Sequence, residues 1–126
     1  MNPRRLSAGV LMLALASMAA LAADAPNISG TWTASFDTQV GKQDYTYTFA
    51  VKGAVLTGHA KSASGDTEIT EGKIDGNKVT FVENLNYQGM PLHIVYTGTV
   101  TSPDQIDFMR DVAGVAQEKL TAKRVK

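Results

Sequence analysis

After Asn27, seven turn signals cut the chain into short segments: Val40-Gly41-Lys42, Lys52-Gly53, Ser64-Gly65-Asp66, Asp75-Gly76-Asn77, Gln88-Gly89, Ser102-Pro103-Asp104 and Ala113-Gly114. Between them apolar and polar residues alternate, and no helical period appears. Gly and Asx residues tolerate the backbone conformations that tight hairpins require, and Asp75-Gly76 is the clearest such pair. Seven turns imply eight strands, spaced about 13 residues apart on average. Short connections join antiparallel neighbours, so the chain should run as a meander. Eight strands in that order can close on themselves and leave no edge exposed. The expected fold is all-β: a single eight-stranded antiparallel up-and-down β-barrel.

The segment ahead of these strands has a different character. Arg4 and Arg5 precede an uncharged run from Leu6 to Ala23, and Ala20-Leu21-Ala22 supplies a small-x-small cleavage site. This is the pattern of a bacterial secretory signal peptide over residues 1–22, with the barrel domain over 23–126. The expected location is the periplasm or the cell exterior. Removing Arg4 and Arg5 leaves ten basic against twelve acidic side chains and no basic run. Nucleic acid and, after signal cleavage, membrane surfaces are therefore not expected partners. The chain has no cysteine. It uses no disulfide, and burial and backbone hydrogen bonding must hold the fold together.

Strand side chains point alternately to the two faces, so large apolar residues fix which parity faces the core. Ile28, Trp32 and Phe36 share one face of the first strand. Tyr45, Tyr47, Phe49 and Val51 share one in the second, and Leu92, Ile94, Tyr96 and Val100 one in the sixth. The same rule sends charges inward. Glu83 goes with Phe81, Leu85 and Tyr87; Arg110 goes with Phe108 and Val112; Glu118 and Arg124 go with Leu120 and Ala122. Glu71 follows Ile69 inward unless Gly72 forms a bulge that resets the register. A buried lone charge costs several kcal/mol, so these charges must pair or meet water. Either they form a structural ion pair, or they make a polar lumen site. In the second case Arg110 is an anion anchor with Glu83, Glu118, Tyr45, Tyr47, Tyr87 and Tyr96 around it. A barrel of about eight strands is wide enough for one small ligand.

Gly30-Thr31-Trp32 at the start of the first strand, Leu56-Thr57-Gly58 in the third and Thr121-Ala122-Lys123-Arg124-Val125 in the last resemble the calycin superfamily of lipocalins, fatty-acid-binding proteins and avidins. That resemblance implies that Trp32 closes one end of the barrel and that Arg124 packs across its ring, a cation–π contact. It also implies a small-molecule ligand. The chain departs from the pattern in two ways. The first connection, Val40 to Gln43, is too short for the helical lid of fatty-acid-binding proteins, and a single tryptophan cannot build an avidin-like biotin cage. As a whole the pattern is also similar to small secreted bacterial domains that accompany carbohydrate-active enzymes.

Catalytic signals are sparse. The two histidines, His59 and His93, both have outward parity and no metal-ligand spacing, so no metal site is expected. No phosphate loop, nucleophile elbow or cysteine nucleophile is present, and no cofactor is expected. An inward carboxylate pair such as Glu83 and Glu118 could serve acid–base hydrolysis of a glycoside. Three functions stay open. One is a binding barrel for a small, partly apolar or hydroxylated ligand. Another is an accessory module or small enzyme acting on carbohydrate. The third is a structural or interaction domain with a filled core. The sequence leaves the oligomeric state undetermined.

Overall fold

The turn signals and alternating runs become eight antiparallel strands in a computed structural model that describes residues 27–126. The signal segment 1–22 and the domain boundary at residue 23 lie outside the described residues. The strands are β1 (Gly30–Thr38), β2 (Gly41–Lys52), β3 (Val55–Ser62), β4 (Gly65–Asp75), β5 (Lys78–Tyr87), β6 (Met90–Ser102), β7 (Gln105–Val112) and β8 (Ala116–Arg124). Each pairs with the next, and β8 returns to β1 through Trp32 opposite Arg124 and Thr33 opposite Lys123, closing the barrel. The first six connections are two residues long and the last, residues 113–115, is three. A meander sends alternate turns to opposite ends. The turns after β1, β3, β5 and β7 gather at one end; the other turns and Arg124, near the C-terminus, lie at the other.

The side-chain alternation fills the lumen. Ile28, Trp32 and Phe36 are buried, as are Tyr45, Tyr47 and Phe49, while Val51, Leu92, Val100 and Val112 pack against that core from partly buried positions. His59 and His93 are on the outside, near Asp66 and Asn84 respectively. The bulge alternative applies at Glu71. The β4–β5 register shifts between Thr70 and Lys73, Glu71 has φ 53° and is exposed, and Ile69 and Ile74 both point inward. Gly72 allows the adjacent strand to approach closely: a Cβ there would stand 2.1 Å from the Leu56 carbonyl oxygen.

Aromatic rings occupy the middle of the barrel. Phe81 and Tyr96 stack with centroids 4.3 Å apart, and Phe108 meets Phe81 edge-on at 5.6 Å. Tyr47 meets Tyr96 edge-on at 5.7 Å and stacks on Phe49 at 5.8 Å. Such offset and T-shaped pairs add about 0.5–1.5 kcal/mol each beyond the area they bury. Below this plug, Trp32 closes the end that holds the C-terminus. It is fully buried, and its indole N–H donates to the Ile28 carbonyl at 2.9 Å. A cavity opens toward the end formed by the turns after β1, β3, β5 and β7.

Candidate functional site

Above the aromatic plug, β2, β5, β6, β7 and β8 each contribute an inward polar side chain to one network. Arg110 and Tyr96 are register partners on β7 and β6, and Arg110 and Glu118 are register partners on β7 and β8. Tyr45 and Glu83 reach in from β2 and β5. Arg110 donates from Nε to the Tyr96 hydroxyl at 2.9 Å, from Nη2 to the Tyr45 hydroxyl at 2.9 Å and from Nη1 to Glu118 Oε1 at 2.5 Å. Its Nη2 also lies 3.6 Å from Glu83 Oε1.

Proton counting sets the direction of the remaining bonds. Each tyrosine hydroxyl has one proton to donate. Tyr45 gives its proton to Glu83 Oε2 at 3.0 Å, and Tyr96 gives its own to Glu83 Oε1 at 2.9 Å. The contact of 2.9 Å between the Tyr47 and Tyr96 hydroxyls therefore has Tyr47 as donor. Glu83 then accepts at both oxygens, which is the role of an ionised carboxylate. Formally the cluster has two negative charges and one positive.

Burial shapes the titration of these groups. It pushes the Glu83 carboxyl up from its ordinary value near 4.5, although Arg110 and the two tyrosine hydroxyls pull the other way. Burial, reinforced by the Glu83 charge, pushes Tyr45 up to about 12. Burial also holds Tyr47 and Tyr96 well above the ordinary tyrosine value. For Arg110, burial works against the charge, but Tyr96, Tyr45, Glu83 and the hydrogen bond to Glu118 outweigh it, so the guanidinium stays charged.

A cavity of about 80 Å³ lies between this network and the end opposite Trp32. Leu85, Leu92, Ile94, Val112 and the Tyr87 ring form its apolar walls. Tyr45, Arg110 and Glu118 line its floor, and Thr38, Val40, Gln43 and Ser64 form part of its rim. Glu118 differs from the other charged groups in the network. Its side chain is 8% exposed, its Oε1 is held by Arg110, and its Oε2 has no protein donor among the described residues.

No protein-family model and no curated protein sequence matches the chain. Solved structures do match it. Over 78% of this chain, the barrel is similar to the redesigned β-barrel mFAP1 bound to DFHBI, with 15% identity, 94% of that chain covered and a TM-score of 0.51. The structure of EF1p2_mFAP2b bound to DFHBI matches with 14% identity, the same coverage of both chains and a TM-score of 0.50. At that identity the likeness concerns the fold. The closed eight-stranded antiparallel barrel is the fold that the likeness supports.

The structure brings Arg110, Glu83, Glu118, Tyr45, Tyr47 and Tyr96 together in the buried network. Of these, only Arg110, Glu118 and Tyr45 touch the cavity. Tyr87 is apart from them: it has the inward parity but ends β5, so it stands half-buried in the wall near the opening. Trp32 and Arg124 meet at the opposite end of the barrel. Arg110 donates one N–H from each of its three nitrogens to Tyr96, Glu118 and Tyr45. Thr38, Val40, Gln43 and Ser64 were not among the expected site residues. The meander itself is the signal that could have found them, because it sends the turns beside them to one end.

Proposed function

We propose that this chain is a small-ligand-binding β-barrel, exported to the periplasm or the cell exterior by the signal peptide expected over residues 1–22. The observation that supports this most directly is the cavity, with aliphatic walls above a polar floor of Tyr45, Arg110 and Glu118. Binding sites of this kind combine a mostly apolar lining with a few placed polar groups. That two barrels of the same fold are bound to DFHBI supports a small-molecule role as well. The ligand is small and partly apolar, with a hydroxyl or similar polar group directed at the floor. The carbohydrate-acting alternative gains less support, because of the two buried carboxylates only Glu118 reaches the cavity.

The size of the cavity favours a second reading, in which the barrel is a structural or interaction domain with a filled core. A cavity of about 80 Å³ is well below the roughly 300–1,000 Å³ of drug-sized sites. The binding role therefore requires a ligand of few atoms or one that extends out past the rim. Titration with 1-butanol, followed by methyl NMR, separates the two readings. Binding shifts the methyl resonances of Leu85, Leu92, Ile94 and Val112 in a saturable way. A filled-core barrel leaves them unmoved. The export part has its own test: the intact mass of the protein recovered from the periplasm or medium of a bacterial host should correspond to a chain starting at Ala23.

A further inference from the structure

The floor of the cavity is suited to one class of ligand, and the inference rests on the binding role proposed above. Three of the five N–H groups of Arg110 already serve Tyr96, Glu118 and Tyr45, and Nη2 also lies 3.6 Å from Glu83 Oε1, so an incoming anion meets a guanidinium whose charge two carboxylates already share. The hydroxyl of Tyr45 is committed as well, donating to Glu83 and accepting from Arg110. The cavity also offers an open acceptor. Glu118 Oε2 lacks a protein donor among the described residues, although the side chain is more than nine-tenths buried and lines the cavity. That oxygen is not a buried unsatisfied atom: it is open to solvent in the cavity, where a charged donor would form a strong hydrogen bond with it.

Charge points the same way. Glu83 and Glu118 face a single Arg110, a formal excess of one negative charge in a low-dielectric site. A cation at the floor would balance that charge, and an anion would add to it. We infer that the cavity selects a primary ammonium group, held by Glu118 Oε2, with a short aliphatic chain running between Leu85, Leu92, Ile94 and Val112. The cavity volume limits what fits. A dry cavity of about 150 Å³ admits benzene; one of about 80 Å³ takes a headgroup and a few carbons, with any longer tail leaving past Tyr87 and Val40.

The test titrates the full mature protein at neutral pH with n-butylammonium, 1-butanol and butyrate, following the same four methyl-bearing residues by NMR. The expected order is butylammonium first, about ten-fold or more tighter than butanol, as a charge-assisted hydrogen bond provides. Butyrate should bind no more tightly than butanol. Glu118→Gln should bring butylammonium close to the butanol affinity measured on the same variant, because the amide keeps an acceptor oxygen and loses the charge. Because Glu118 also pairs with Arg110, the variant's methyl spectrum must first show an intact barrel; the wild-type comparison needs no variant. If butanol shifts the methyls but butylammonium binds no better, or if butyrate binds best, the inference is overturned and the binding role stands. If none of the three shifts the methyls, both fall.

Discussion

The guanidinium carbon of Arg124 lies 4.5 Å from the centroid of the Trp32 ring, and the two residues are register partners where β8 closes on β1. The same guanidinium donates to the carbonyls of Ser29 at 2.8 Å, Asn27 at 2.9 Å and Pro103 at 3.1 Å. It also lies 3.4 Å from the Asp104 carboxylate. One side chain thus joins the residues leading into β1, the β6–β7 turn and the end of β8, over the indole that closes the barrel.

Removing that side chain should therefore weaken the closure. A partly desolvated cation–π contact contributes about 0.5–2 kcal/mol, and the carbonyls would have to find water instead. Arg124→Ala should lower the unfolding free energy by about 1–3 kcal/mol in urea titrations. Arg124→Lys should recover only part of this, because an ammonium cannot serve the separate carbonyls with a planar fork. An alanine variant as stable as the wild type would rule out the clamp.

Glu83 gives the barrel a pH dependence of definite sign. Its pKa is raised in the fold, chiefly by burial, so the folded state holds that proton more tightly than the unfolded chain does. The associated stability is present at low pH and is lost as pH rises from about 4.5 through the raised folded value. Glu83→Gln lacks this contribution. The stability of wild type relative to Glu83→Gln should therefore decline across that window and then level off, as measured by urea unfolding of both proteins at a series of pH values. A relative stability that increases with pH would mean that Arg110 and the tyrosine hydroxyls outweigh burial.

The alkaline side is set by the buried phenols. Tyr45 is pushed up to about 12, and Tyr47 and Tyr96 are held well above the ordinary value of 10.0, in each case mainly by burial. Raised folded values mean stability that is complete below about 10 and is lost as pH climbs through them. Phenolate absorbance from these three residues should appear together with loss of the β-sheet circular dichroism signal. Phenolate formation from all three in a barrel that keeps its β-sheet signal would show that water reaches the plug.

Much of this arrangement is legible in the sequence because strand parity has a period of two. Phe108 on β7 determines the facing of Arg110, Phe81 on β5 that of Glu83, and Leu120 on β8 that of Glu118. The seven turn signals set the meander, and the meander makes Arg110 a neighbour of both Tyr96 and Glu118. Parity alone cannot assign partners across a lumen. Tyr45 and Glu83 reach Arg110 from strands not paired with β7, so their bonds depend on barrel diameter and ring packing. Parity also says nothing of depth: Tyr87 faces inward yet stands at the wall near the opening, because β5 ends there. The register at Glu71 depends on a bulge, which resets the period and turns that carboxylate out to solvent. The cavity volume is what the rings leave unfilled, a packing property with no periodic signature.

The packing of those rings rests on Gly98, which supplies the last prediction. Gly98 on β6 is the register partner of Phe108 on β7. A Cβ at this position would stand 2.4 Å from Phe108 Cδ1, 2.5 Å from Cε1 and 3.2 Å from Ile106 Cγ2. Its backbone is outside the left-handed region, so alanine would meet only the steric problem. Gly98→Ala should destabilise by about 1–3 kcal/mol, the cost of overpacking a dense core. Phe108→Leu removes the ring that occupies the space. The double variant should therefore lose less than the sum of the two single losses, with a coupling of about 0.5–3 kcal/mol for residues in contact. Gly58→Ala serves as the contrast. There a Cβ would stand 1.8 Å from the Thr48 carbonyl oxygen, a backbone atom, and the residue has φ 150°. No side-chain change nearby can relieve that contact, so Phe108→Leu should leave the cost of Gly58→Ala unchanged. Additive losses for Gly98→Ala and Phe108→Leu would show that the ring has room to move, and that the aromatic plug is looser than the close contact at Gly98 implies.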